Sequence, residues 1–119
     1  MKVLGIRYCT VSKQAEAIAQ FLGDTGVGLT ARDMGKSDAF QGAVFPAGAD
    51  SWVEVWPEME GYKAMTMLQV VVDDADAFAE HARQNGLDPK GPMDAYGERI
   101  FMLEGPDGLQ MSFQSKLSE

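Results

Sequence analysis

Apolar and polar positions alternate with period two over several short stretches of the chain. In Leu109-Gln110-Met111-Ser112-Phe113-Gln114 the alternation is strict. Leu109, Met111 and Phe113 share one strand face, and Gln110, Ser112 and Gln114 share the other. Within Ser51–Trp56, Val53 and Val55 share a face, opposite Trp52, Glu54 and Trp56. Within Met65–Val72, Thr66, Leu68, Val70 and Val72 alternate with Met65, Met67, Gln69 and Val71. The aliphatic sides are expected to pack under helices. The mixed sides carry Trp, Met, Gln, Ser and Glu, the large apolar groups with a few polar ones that a ligand cavity needs.

The elements repeat. Thr10 to Leu22 reads as a strand end, a cap, an Ala-rich helix and a glycine stop, and Val71 to Leu87 reads the same way. The copies lie about 60 residues apart, half the chain. Ser12 and Asp73 are the candidate N-caps, with Asp76 three positions after Asp73 as in a capping box. After the first helix, strands are expected at Thr30–Asp33, Phe40–Phe45 and Ser51–Trp56, with turns at residues 35–38 and 47–50. After the second they are expected at Asp88–Lys90, Glu98–Leu103 and Leu109–Ser115. Glu104-Gly105-Pro106-Asp107-Gly108 reads as a hairpin turn, where Pro106 presets φ and Gly108 takes a left-handed conformation. Each half is thus strand-helix-strand-strand-strand, with residues 57–64 as linker. A ferredoxin-like topology would not place three strands after each helix.

Length and charge narrow the possibilities. The 119 residues suit one domain, with modules 1–60 and 61–119. Eighteen acidic against ten basic residues give a net charge of −8, which disfavours nucleic acid and favours solubility or a cationic partner. The single cysteine, Cys9, excludes an intrachain disulfide and a cysteine-based zinc site, and its apolar surroundings suggest a buried thiol. The start of the chain does not read as a signal peptide, and no apolar run approaches the ~20 residues of a membrane helix. A cytoplasmic protein with no membrane contact is expected. The one histidine, His81, lies among charged residues mid-helix and is expected to face solvent. Gly23 to Gly28 follows a helix, so it reads as a helix C-terminal turn and not a nucleotide loop.

Several of these stretches resemble the glyoxalase/bleomycin resistance/dioxygenase superfamily, the vicinal oxygen chelate proteins. Gly105-Pro106-Asp107-Gly108 is similar to the superfamily's Asp-Pro-Asp-Gly-Asn hairpin. Tyr96-Gly97 before Arg99-Ile100-Phe101 is similar to its Trp-Gly-x-x-x-Phe stretch. Val72-Asp73-Asp74-Ala75 and Phe21-Leu22 with Gly26-Val27-Gly28-Leu29 resemble the start of its second helix and the close of its first. The resemblance covers essentially the whole chain. It implies an α+β fold, two βαβββ modules forming a cupped mixed sheet with helices on the outer face, and a homodimer.

In metal-dependent members of that superfamily the first strand of each module gives a His or Gln, and the last strand of each gives a Glu. The matching positions here are Glu54 and Ser112 for the glutamates, and Ile6 and Met67 for the first strands. A two-residue shift gives Tyr8 and Gln69 instead. Serine and methionine are poor replacements for carboxylate and imidazole around Ni, Zn, Fe or Mn. The resemblance therefore implies a degenerate metal site and no metal cofactor. The expected function is binding of a small aromatic or cationic organic molecule in the cup, with Trp52, Trp56, Met67, Gln69, Tyr8, Gln110 and Ser112 lining it. The alternative is a small metal-dependent lyase, isomerase or dioxygenase, with Glu54 as catalytic base or as metal ligand beside Gln69 and Tyr8. Glu54 has a structural reading too, as a carboxylate paired with Arg7, Arg99 or a tyrosine hydroxyl.

Overall fold

A computed structural model describes residues 1–35, 39–61 and 63–117. Its elements are β1 (Val3–Ser12), α1 (Ala15–Leu22), β2 (Ala43–Pro46), β3 (Trp52–Pro57), β4 (Met65–Val72), α2 (Ala75–Gln84), β5 (Lys90–Ala95), β6 (Glu98–Glu104) and β7 (Gln110–Lys116). Among the described residues, seven strands and two helices make an α+β fold with parallel and antiparallel pairing. The chain forms two compact units. One is Arg7–Thr66; the other joins Met1–Ile6 to Met67–Glu119.

In the Arg7–Thr66 unit, β1 runs parallel to β3, and β3 runs antiparallel to β2. Tyr8 pairs with Val53 and Thr10 with Val55, while Phe45 and Ala43 pair with the same two valines from the other side. That face packs on α1: Ala15, Ala43, Phe45 and Val55 form the core, with Ile18, Ala19, Leu22, Phe40 and Val53 against it. Val55 is completely buried. The opposite face carries Arg7, Cys9 and Val11 paired with Trp52, Glu54 and Trp56. The segment after α1 closes the helix as expected. The amides of Val27, Gly28 and Leu29 donate back to the carbonyls of Phe21, Gly23 and Leu22, so this turn spends its N–H groups on its own chain.

In the other unit, β4 runs parallel to β7, and β7, β6 and β5 follow in antiparallel order. The expected faces are observed. Val70, Val72, Met111 and Phe113 lie on the α2 side, in the core that Phe101, Ala75 and Ala79 complete. Phe101 stacks on Phe113 with ring centroids 5.4 Å apart. The α2 N-terminus is held twice: Asp74 accepts from the Ala77 amide, and the buried Ser115 hydroxyl accepts from the Ala75 amide. His81 is exposed. The Pro106–Gly108 turn before β7 holds Asp107 and Gly108 at φ of +57° and +73°.

Four local expectations differ from the structure. Thr30–Asp33 is not a strand: among the described residues, only the Arg32 amide finds a neighbouring carbonyl there, that of Val44 at 2.7 Å. The first module therefore has two strands after its helix among the described residues. The strand expected at Asp88–Lys90 begins where that stretch ends, as β5. Gly91 and Pro92 disguise it as a turn, yet β5 pairs with β6 alone among the described residues, an edge position where proline is tolerated. The N-cap of α2 is Asp74, one residue later than expected, because the Asp73 carboxylate accepts from the Lys2 amide. The α1 cap is Gln14, and Ser12 instead accepts from the Gln14 amide. Of the turn at 35–38 and the linker at 57–64, residues 36–38 and 62 lie outside the described residues.

Candidate functional site

Strand β3 has the sequence Trp-Val-Glu-Val-Trp-Pro, so its period of two puts Trp52, Glu54 and Trp56 in a row on one face. The two indoles close on the carboxylate between them. Trp52 Nε1 donates to Glu54 Oε2 at 2.6 Å, and Trp56 Nε1 donates to Oε1 at 2.9 Å. All three side chains are partly exposed. An ionised carboxylate is the strongest acceptor an indole can meet, so these are charge-assisted bonds. Glu54 is thus the strut of a tryptophan ladder.

Arginines complete the face. The Arg7 guanidinium lies 3.6 Å from the centroid of the Trp52 ring, and that of Arg32 lies 5.1 Å from it. Both contacts draw a cation to the electron-rich ring. Arg7 is buried, on β1 opposite Trp52; Arg32 is exposed and comes from the segment between α1 and β2. Sequence reasoning offered Arg7 only as one partner for Glu54, and it gave Arg32 no role. The signal for Arg7 was present: it shares a parity with Cys9 and Val11 in β1. Arg32 carried no such signal, because no regular element holds it.

Cys9 pairs in register with Glu54. Burial raises its thiol from 9.0 to about 12, and the negative charge of Glu54 adds to the rise. The thiol is therefore protonated at neutral pH and is no nucleophile. It should resist a thiol reagent at pH 8 until the protein unfolds. The sign of its effect on stability follows. A thiol harder to ionise in the fold than in the unfolded chain stabilises the fold below pH 9. That contribution drains away as pH rises toward 12. Cys9→Ala should flatten this part of the alkaline stability profile in urea denaturation.

The remaining expected residues divide between the units. Tyr8 stands in the Arg7–Thr66 unit but pairs with Val53, on the α1 side and opposite Glu54. A Glu54–Tyr8 pairing on one face therefore does not form. The reason is parity: Ile6 and Tyr8 share a face of β1, and the residues beside Trp52 and Glu54 are Arg7 and Cys9. Arg99 does not serve Glu54 either, since it binds Asp94 at 3.0 Å and Asp76 at 3.0 Å.

Met67, Gln69, Gln110 and Ser112 belong to the other unit, on its face away from α2. Gln69 is the register partner of Ser112. The buried Ser112 hydroxyl donates to Gln114 at 2.8 Å, Gln110 donates to Glu104 at 2.8 Å, and Met67 is buried.

Among the residues at the positions carried over from metal-dependent proteins, Glu54 is the one carboxylate, and none is a histidine. Glu54 already has an indole donor on each oxygen, and Ser112 is engaged by Gln114. Among the described residues, no three His, Cys, Asp or Glu side chains are grouped so as to hold an ion.

No family model matches the sequence, and no curated protein is significantly similar to it. Solved structures do match. Methylmalonyl-CoA epimerase from Mycobacterium tuberculosis superposes with a TM-score of 0.66 at 14% identity, over 98% of this chain and 89% of that one. A glyoxalase/bleomycin resistance protein/dioxygenase superfamily member from Vibrio splendidus 12B01 gives 0.63 at 13%, over 96% and 99%. The chain has the glyoxalase/bleomycin resistance/dioxygenase fold. A hypothetical protein from Bacillus halodurans C-125 matches similarly, with a TM-score of 0.67 at 13% identity over 95% of this chain and 94% of that one. At these identities the glyoxalase/bleomycin resistance/dioxygenase likeness concerns the backbone. No helix among the described residues is long and apolar enough to cross a membrane.

Proposed function

We propose that this protein binds a small aromatic organic molecule and that its metal site is degenerate. One observation carries the reading: each oxygen of Glu54, the one surviving carboxylate among the carried-over positions, accepts an indole N–H. The carboxylate is used to orient two aromatic rings. Each oxygen keeps a second lone pair, but each indole bond lowers its basicity and takes one of the positions where an ion or a proton would be met. The result is a partly exposed aromatic surface, the type of surface on which planar ligands stack. Of the two ligand classes expected from the sequence, the aromatic one is favoured. A cation approaching Trp52 finds the guanidinium of Arg7 already on that ring.

Native mass spectrometry of freshly purified protein tests this directly, since it reads oligomer, metal and retained ligand in one spectrum. The expected result is a homodimer carrying an organic mass or nothing. Near-stoichiometric Ni, Zn, Fe or Mn, lost in Glu54→Gln, would overturn the reading in favour of a metal-dependent lyase, isomerase or dioxygenase.

A further inference from the structure

The charge available to a ligand at the tryptophan ladder is opposite in sign to the charge of the protein. The chain has 18 acidic and 10 basic residues. Yet this face sets two guanidinium groups, Arg7 and Arg32, against the carboxylate of Glu54, whose oxygens both accept from Trp52 and Trp56. Arg32 is exposed, lies 5.1 Å from the Trp52 centroid, and forms no ion pair among the described residues. Its backbone is not adrift: its amide donates to Val44 at 2.7 Å, and Val44 is the register partner of Glu54. The backbone of Arg32 is therefore tied to the strand residue beside Glu54, and the guanidinium of this exposed residue lies over Trp52.

The distant surface charge does not cancel this. At physiological ionic strength screening sets in at about 8 Å, so the nearest charges decide what an incoming group meets. A cationic head group beside Trp52 would face two guanidinium groups, Arg7 and Arg32, against the one carboxylate of Glu54. A carboxylate would find in Arg32 a planar fork of donors that matches its two oxygens. Resting on the binding role proposed above, we infer that the ligand is an aromatic acid. Its ring lies along the tryptophan ladder, its carboxylate pairs with Arg32, and Arg32 is the residue that sets the preference for an anion.

Three probes with one ring system separate the parts of this inference: naphthalene-2-carboxylate, 2-naphthylmethanol and 2-naphthylmethylammonium, each titrated calorimetrically into the intact protein. The carboxylate should bind about five-fold more tightly than the alcohol, the size of a partly exposed ion pair, and the ammonium more weakly than the alcohol. Arg32→Gln should bring the carboxylate down to the alcohol while leaving the alcohol unchanged. Arg32→Lys should retain part of the preference, because it keeps the charge and loses the fork. Binding of the ammonium as tight as that of the carboxylate, or an undiminished carboxylate preference in Arg32→Gln, would overturn the anion inference and leave aromatic binding standing. Failure of all three probes would overturn the binding reading and the inference with it.

Discussion

Glu54→Gln is expected to lower the stability of the fold by about 2 kcal/mol, although it removes no more than one charge and changes almost no volume. The acceptor count decides this. The carboxylate offers an oxygen to each indole, at 2.6 Å and 2.9 Å. The amide offers one oxygen and one NH2 group, so one of the two indole donors would face another donor. A hydrogen bond to a charged acceptor is worth more than a neutral one, and partial exposure of this face keeps the loss below the sum of two such bonds.

The effect has a clean optical readout. The chain has two tryptophans, and both are in this ladder, so tryptophan emission, excited selectively over the three tyrosines, reports on it alone. A shift in emission together with a lower urea midpoint at unchanged slope is the expected result. A variant as stable as the parent, with the same spectrum, would show that the ladder is not a strut. Cys9 supplies an independent check. Removing the charge of Glu54 should move the thiol down from about 12, but not to its ordinary 9, because burial is the larger cause of its rise.

How far the sequence could lead is clear from the same strand. Period two placed Trp52, Glu54 and Trp56 on one face and Val53 and Val55 under a helix, and both placements hold. The same rule sorted Met111 and Phe113 from Ser112 and Gln114. These are consequences of pleat geometry, which depends on no distant partner. What the sequence did not disclose depends on pairing. Parity fixes which β1 residues share a face, but only the register with β3 says that Arg7 and Cys9, and not Tyr8, stand beside Trp52 and Glu54. Thr30–Asp33 fails as a strand for a related reason: a strand exists only where a ladder can continue, and a single bond from Arg32 to Val44 is no ladder. The sign of the local charge was the least legible feature. It needed both the register that sets Arg7 beside Trp52 and the arrival of Arg32 from an irregular segment.

Gly42→Ala should be the most damaging single substitution at this site, and it tests the ladder from the opposite side. Gly42 precedes β2 and sits at φ +126°, a conformation that side-chain-bearing residues rarely adopt. A methyl group there would lie 2.1 Å and 2.3 Å from two carbons of the Trp56 six-membered ring, and 3.2 Å from the Val55 carbonyl oxygen. The ring cannot simply swing away, because its nitrogen is bound to Glu54 at 2.9 Å. Backbone strain and overpacking then act together, for an expected loss of about 3 kcal/mol. Gly48→Ala is the matched control. It carries a similar φ, +136°, but its added methyl would meet nothing within 4 Å. It should show the conformational part alone, about 1 kcal/mol, with unchanged tryptophan emission. The difference between the two variants isolates the contact of Gly42 with the ring. Equal losses would mean that Trp56 has room to move, and a mobile Trp56 could not be half of a fixed aromatic platform. If the losses differ as expected, the naphthalene probes should also bind more weakly to Gly42→Ala than to Gly48→Ala, because the displaced ring is the surface they are proposed to use.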